Sequence, residues 1–439
     1  MRASAGSPRA VARLLALERF ERSSMRPGLE RIHELLDLLG HPEAGLRLLH
    51  VGGTNGKGSV SALAEAIFRH AGCRTGLYTS PHLLDMRERI RIDGVPIAPA
   101  DLARAADALG PRLDAGGITF FEAMTAVGLA AFRAAGVDVA VLEVGLGGRW
   151  DATNVGAPLA AVVTRVDYDH QDYLGHRLGE IAAEKAAIIR TGVALSAAQA
   201  PEAMAVIEAR CREVGVPLLV EGRDVRAEVV RSDLSGHRLH LAGPGWTVRD
   251  VDLALAGLFQ PANAALAVGA VRAFAAAAGR PISDEAIRAG CAAVDWPGRF
   301  QVVPARAGRP ALVLDGAHNP GGAAALAASL VHFFPGARLT LVVGISADKD
   351  RAGILKALAP LASHVVATAA AHPRATPPAD LVAALPPVDA RVSVIPDPGD
   401  ALRRALTDAS ADVVCVAGSL FLIADALRWL GAEKILDPR

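Results

Sequence analysis

The chain has 439 residues, with 46 Lys and Arg against 46 Asp and Glu, so its formal net charge at pH 7 is zero. A protein that holds nucleic acid or an anionic membrane across its surface needs a basic surplus, so this balance argues against both as partners. Apolar residues make up 51% and charged residues 21%, a compact soluble composition, and at roughly 100–200 residues per domain the length predicts two or three domains.

Residues 1–24 are rich in Arg with no acid before Glu18, faintly the composition of a transit peptide, but the whole chain shares that Ala/Arg bias. Residues 10–20 therefore read as an ordinary first helix, and 29–39 as a second. An apolar strand, Leu46-Arg-Leu-Leu-His-Val51, runs into Gly52-Gly-Thr-Asn-Gly-Lys-Gly-Ser59 and a helix to His70. Two runs, 137–144 and 159–166, are rich in Val and bounded by Gly or Pro, the pattern of buried parallel strands. Residues 216–255 differ. Val225-Arg-Ala-Glu-Val-Val-Arg231 and His237-Arg-Leu-His-Leu241 alternate in polarity about Ser235-Gly236, which predicts an appended antiparallel hairpin. Helices over 261–278 and 283–294 follow. Trp296-Pro-Gly298 then breaks the pattern, giving expected domains of 1–296 and 297–439.

Beyond the break, strands at 311–315, 338–344, 364–368, 392–395 and 412–417 alternate with Ala-rich helical segments, and 373–378 reads as a loop. The expected fold is α/β: a phosphate-loop domain with an appended antiparallel β element, then a smaller doubly wound, Rossmann-like domain. Cys73, Cys211, Cys291 and Cys415 stand far apart, with no CxxC pair and no zinc spacing, which predicts reduced thiols in the cytoplasm. No uninterrupted apolar run reaches the roughly 18 residues of a membrane span.

The chemistry gathers at strand ends. In Gly53-Thr-Asn-Gly-Lys-Gly-Ser59, glycines let backbone N–H groups turn inward around phosphate oxygens, and Lys57 supplies a point charge. The Ser59 hydroxyl can ligate Mg²⁺, and the helix N-terminus adds partial positive charge. The pattern departs from GxxxxGK[ST], since Val51 leads and Gly58 separates Lys57 from Ser59. Glu143 closes one strand, His170 lies beyond the next with Asp169 beside it, and Thr79-Ser-Pro-His82 follows another. Ligands of open α/β sheets bind outside the carboxyl ends of the strands, so these side chains converge. An acid placed like Glu143 is the expected second Mg²⁺ anchor; its plain alternative is a helix cap, and that of His170 a structural histidine. Lys185, in Glu184-Lys-Ala-Ala-Ile-Ile189, reads from its residues alone as a solvated helical lysine. In the second domain Arg299 follows the junction, Asp315, His318 and Asn319 close a strand, and Asp348-Lys-Asp350 and Gly418-Ser419 close two more. Each can be a cap or turn former, but together they form a ligand face.

This set resembles the folylpolyglutamate synthase/dihydrofolate synthase family of the Mur ligase superfamily. The resemblance runs over 29–422. It rests on the phosphate loop, Thr79-Ser-Pro-His82 with Glu88-Arg-Ile90, Phe121-Glu122, Glu143-Val-Gly-Leu-Gly-Gly148 with Asp151-Ala-Thr-Asn154, Asp169-His170 and Glu184-Lys185. Gln260 with Asn263, Gly298-Arg299, Asp315-Gly-Ala-His-Asn319, Asp348-Lys-Asp350 and Gly418-Ser-Leu420 complete it. It implies a Mur-ligase-type fold and a monomeric, cytoplasmic ATP-dependent amide ligase. ATP would phosphorylate a carboxylate of dihydropteroate or a reduced folate, and the amine of L-glutamate would attack the acyl phosphate. The resemblance implies that Thr54, Asn55, Gly56, Lys57, Gly58, Ser59, Asn263, Arg299, Asp315 and His318 bind ATP. Ser59, Ser80, Glu143, His170 and a carbamylated Lys185 would hold two Mg²⁺ ions. Phe121, Glu122, Asp151 and Ala152 would line the pteroate side. Lys57, Glu143, His170, Lys185 and His318 would carry the catalysis.

The family pattern is not matched everywhere: Phe259 stands for a His, Ala187 for a Gly, Arg165-Val-Asp-Tyr168 precedes Asp169, and Met25-Arg-Pro27 replaces a segment that commonly holds an Asp. Both folate activities are expected. The nearest alternative, a cell-wall Mur ligase, carries a UDP-binding domain before the loop, and only 51 residues precede Gly52 here. A nucleotide-hydrolysing switch is the alternative outside ligases, but it needs no second ligand face.

Overall fold

The computed structural model describes residues 8–19, 27–306 and 308–436; Met25 and Arg26 of the departing segment lie outside them. The expected first helices are present as Pro8–Arg19 and Glu30–Leu38. The first sheet contains β1 (Leu48–Gly52), β2 (Thr75–Tyr78), β3 (Ile90–Ile92), β4 (Val95–Pro96), β5 (Val139–Glu143), β6 (Pro158–Val163), β7 (Val193–Ser196) and β8 (Leu218–Val220). Their order is β4-β3-β2-β5-β1-β6-β7-β8. β2 and β5 to β8 run parallel with the central β1, while β3 and β4 turn back as an antiparallel edge.

All five residues of β1 and of β5 are buried, which is why their sequences are continuous apolar runs without alternation. One face of the sheet packs on the helices Lys57–His70, Gln260–Ala278 and Asp284–Ala293. The other packs on Glu30–Leu38 and Phe120–Ala135. The latter helix is set by its own sequence: Thr119 and Glu122 form a reciprocal capping box, and Gly136 ends it at φ 63°. The helix Gln260–Ala278 is long and apolar enough to span a bilayer, yet most of it is core, with Ala264, Ala267, Val268 and Val271 fully buried.

The 216–255 region departs from the expected hairpin. β8 joins the first sheet as its outermost parallel strand, and the appended element is a three-stranded meander of β9 (Arg226–Asp233), β10 (Gly236–Gly243) and β11 (Trp246–Leu253). The third strand escapes the alternation test because Asp250 sits at φ 53° beside a register shift, so its polar residues fall out of phase.

The second sheet contains β12 (Gln301–Val303), β13 (Ala311–Leu314), β14 (Leu339–Val343), β15 (Ala362–Ala367), β16 (Arg391–Val394) and β17 (Val413–Ala417), in the order β12-β13-β17-β14-β15-β16. It is parallel and covered on both faces, as expected, except for β12, which adds an antiparallel edge. The 373–378 loop is shorter than expected: Pro378 opens a helix, Pro378–Ala383, where a missing N–H costs nothing. Phe259 packs against the core of this second sheet, so an apolar ring is spent on the contact between domains.

Candidate functional site

The carboxyl ends of the two sheets face each other. Asn55, after β1, and Asn319, after β13, exchange side-chain amide hydrogen bonds of 3.1 and 2.9 Å across the domains.

The phosphate loop is shaped by close approaches. Gly56 has φ 100°, and a Cβ there would lie 2.6 Å from Asn263 Oδ1. At Gly58 a Cβ would lie 2.8 Å from the Trp296 indole nitrogen, which explains the glycine inserted between Lys57 and Ser59. The Thr54 hydroxyl donates to the Asp167 carbonyl and accepts from its N–H, both at 3.1 Å. Lys57 opens the helix and donates to the Thr54 carbonyl at 3.1 Å. Burial lowers its amine, with Glu143 and Asp169 opposing. Gln260 donates to the Ser59 hydroxyl at 3.3 Å and accepts from Asn263 at 3.0 Å, so both back the loop.

Glu143 ends β5 and is buried; its carboxylate accepts from the Ser80 N–H at 3.1 Å, not from a helix terminus. Burial pushes this carboxyl up, and the charges of Lys57 and then Arg299 pull against it. Lys185 overturns the reading of its residues as a solvated lysine. It is 4% exposed, its helix Leu178–Ala186 packs close over Gly148, and its Nζ donates to the Gly53 carbonyl at 3.0 Å. Burial, then the charge of Lys57, pulls its amine down to about 7.

Asp169 gathers groups from both domains. Lys349 Nζ lies 2.5 Å from its Oδ1 and 3.2 Å from His170 Nε2, Asn319 donates to its Oδ2 at 3.3 Å, and His318 Nε2 lies 3.5 Å away. Burial alone would raise the Asp169 carboxyl, but His318, His170 and Lys349 outweigh it and hold it below the usual carboxylate range. His170 sits at φ 51°, and burial, though opposed by Asp169, takes it down to about 3. Asp315 is buried and accepts from the N–H groups of Phe300 and Ala317 at 2.7 and 2.8 Å, with Arg299 nearby.

The four residues expected on the acceptor side lie toward the face of the first sheet that packs on Phe120–Ala135. Phe121 meets Tyr78 edge-on at 5.9 Å, and Ala152 is buried in the same core. A Cβ on Gly145 would stand 2.6 Å from Phe121 and 3.2 Å from Asp151, so these two meet just beyond Glu143. Glu122 is engaged by the Thr119 N–H and, at 2.8 Å, by Arg31. Asp151 accepts from Gly145, Leu146 and Thr153; burial raises its carboxyl against those bonds.

Among the described residues no three His, Cys, Asp or Glu side chains form a ready metal cluster. The donor set nevertheless suits a hard cation: the hydroxyls of Ser59 and Ser80, the buried Glu143 carboxylate with its single strong donor, and the ring of His170. Lys349 belongs to the strand-end segment Asp348-Lys-Asp350 of the expected ligand face, but its sequence gives it no role of its own. Trp296 was noted only as a breaker, and its contact with Gly58 leaves no local trace.

The Mur ligase middle domain family matches residues 51–271, and the Mur ligase glutamate ligase domain family matches 298–420. A relative from Mycobacterium tuberculosis, dihydrofolate synthase/folylpolyglutamate synthase, is 40% identical over 399 residues, 84% of this chain and 80% of the relative. The structure of M. tuberculosis folylpolyglutamate synthase complexed with ADP and AMPPCP superposes with a TM-score of 0.87 at 37% identity, over 98% of this chain and 100% of that one. That of Escherichia coli FolC in complex with DHPP and ADP gives 0.87 at 31% identity, again over 98% and 100%.

Proposed function

Because the chain belongs to the Mur ligase family, among the folylpolyglutamate and dihydrofolate synthases, we propose that it joins L-glutamate to the carboxylate of dihydropteroate and of reduced folates at the cost of ATP. The observation that carries this reading is the meeting of Lys57, Glu143 and Lys185 with Asp169, His318 and Lys349 between two facing strand-end edges. The γ-phosphoryl group passes to a carboxylate oxygen of the acceptor, giving an acyl phosphate and ADP. The glutamate amine then attacks the acyl carbon, the C–O bond to phosphate breaks, and the amine gives up a proton.

The loop from Thr54 to Ser59 cradles the β- and γ-phosphates, with Lys57 as its charge. Asn263, Arg299, Asp315 and His318 hold the rest of the nucleotide across a hinge at 296–297, so chemistry waits on closure and water is kept from the acyl phosphate. Phe121, Glu122, Asp151 and Ala152 shape the acceptor side. Ser59, Ser80, Glu143, His170 and a carbamylated Lys185 hold Mg²⁺, which when bound neutralises the charge that collects on the transferring phosphate. The carbamate forms when the neutral amine of Lys185 adds to CO₂ with loss of a proton, and it turns a cation into an oxygen donor. We place the enzyme in the cytoplasm as a monomer that acts on small molecules.

The test is product mass from purified protein with ATP, glutamate and either dihydropteroate or tetrahydrofolate. Addition of one glutamyl unit to dihydropteroate and of further units to tetrahydrofolate is expected. Extension of tetrahydrofolate alone reduces the enzyme to a folylpolyglutamate synthase. ATPase activity without either acceptor removes the ligase reading.

A further inference from the structure

We infer that His50 is a positioning residue for the acceptor side, acting on Asp151 through the hydroxyl of Thr153. His50 lies in the middle of β1, three residues before Gly53, and is 1% exposed. It is two residues from Leu48, so it faces the same side of the sheet, the apolar side packed on Phe120–Ala135. A polar ring in that core needs a partner, and its Nε2 lies 2.9 Å from Thr153 Oγ1. Thr153 is fully buried, and its Oγ1 lies 2.5 Å from Asp151 Oδ1.

The direction of these bonds follows from what each group can do. Asp151 Oδ2 accepts from the N–H groups of Gly145 and Leu146, and Oδ1 from that of Thr153. Backbone N–H groups only donate, so both oxygens of Asp151 are acceptors. An ionised Asp151 has no hydrogen to give, so the single hydroxyl hydrogen of Thr153 goes to it, and Thr153 Oγ1 accepts from His50. This fixes the neutral ring with its hydrogen on Nε2. Burial, aided by the charge of Arg190, keeps the ring neutral by taking it down to about 3. Arg190 also donates to the Gly156 carbonyl at 2.6 Å and so holds the far end of the same loop.

The loop from Gly145 to Asn154 is thus tied by one hydrogen-bond chain to the strand that carries the phosphate loop. The chain ends on a carboxylate that lies, as the Phe121 ring does, against Gly145. Its failure would loosen the acceptor site and leave the nucleotide site alone. The inference rests on the acceptor reading of Asp151 given above.

Steady-state kinetics of the full chain with varied dihydropteroate and varied ATP test it. His50→Leu should raise KM for dihydropteroate about 10-fold or more, with the ATP KM little changed. His50→Gln, whose amide can donate from nearly the same place, should recover most of the loss. An unchanged dihydropteroate KM in His50→Leu, beside a raised one in Asp151→Ala, overturns the positioning role alone. An unchanged KM in Asp151→Ala overturns the acceptor reading and this inference with it. Should His50→Leu fail to fold, the ¹⁵N shifts of His50 in the wild-type protein decide. A protonated Nε2 at neutral pH is expected, and a bare Nε2 overturns the inference.

Discussion

Lys57, half-buried, and Glu143, buried, are groups of opposite charge, and each has only part of what it needs from the protein. Lys57 donates to one carbonyl, Glu143 accepts from one N–H, and burial pushes both toward their neutral forms. Such groups are stable as charges when a ligand completes them, a triphosphate for the cation and a metal for the anion. Lys57→Ala and Glu143→Gln should each lower ligation on the order of 10³-fold, the scale of lost transition-state charge stabilisation, while circular dichroism stays unchanged. A folded Glu143→Gln enzyme with wild-type turnover would take that residue out of the metal site. Lys185 makes a different demand. Its amine, drawn down to about 7, is protonated below that pH and neutral above it, so carbamate formation should rise as pH rises from 6 to 8. Lys185→Ala should abolish ligation, and acetate, which supplies a carboxylate in place of the proposed carbamate, should restore part of it. Wild-type activity in Lys185→Ala would return this residue to a packing role.

At the scale of elements, Asn319 shows how one side chain can serve local and long-range structure together. Its Oδ1 accepts from the Gly322 N–H and caps the helix Pro320–Phe333, while its Nδ2 donates to Asn55 and Asp169 in the other domain. Asn319→Ala should cost about 1 kcal/mol through the lost cap and should weaken ATP affinity. Asn319→Asp keeps the cap but sets a carboxylate beside Asp169, so melting temperature should separate it from the alanine variant while ATP affinity falls in both. Equal ATP affinity in wild type and Asn319→Asp would show that the contact across domains does not matter. The same division between local and tertiary cause decides what the sequence reveals. The buried strands β1, β5, β14 and β17 are visible because burial on both faces writes itself into consecutive apolar residues. Glu143 and Asp315 are visible because they end such strands. Lys185 and Lys349 are not, because a lysine in a helix or after a strand carries no sign that another element will cover it. His50 was read as one more residue of an apolar strand, and only Thr153, 103 positions away, gives it a task.

For the whole molecule, stability and the site share the same interior, and acid should reveal it. The contacts that bring the domains together, Asn55 to Asn319 and Lys349 to Asp169, lie at the strand ends where the nucleotide is proposed to sit. Behind them, His50 is held neutral in the folded core, at about 3, against about 6.5 in an unfolded chain. Between these values the unfolded state binds a proton that the folded state refuses. The stability linked to His50 is therefore fully present above pH 6.5 and is lost as pH falls toward 3. His50→Gln has no such proton to bind. Denaturant unfolding of the two proteins at pH 7 and at pH 5 isolates the term, because every other titrating group is shared. Whatever the variant loses at pH 7, the wild type should lose about 2 kcal/mol more than it does between pH 7 and pH 5, from 1.5 pH units at about 1.4 kcal/mol each. A constant difference between the two proteins over that range would mean that His50 takes up its proton while folded. The neutral ring inferred for the core would then be wrong, although its Nε2 would still donate to Thr153.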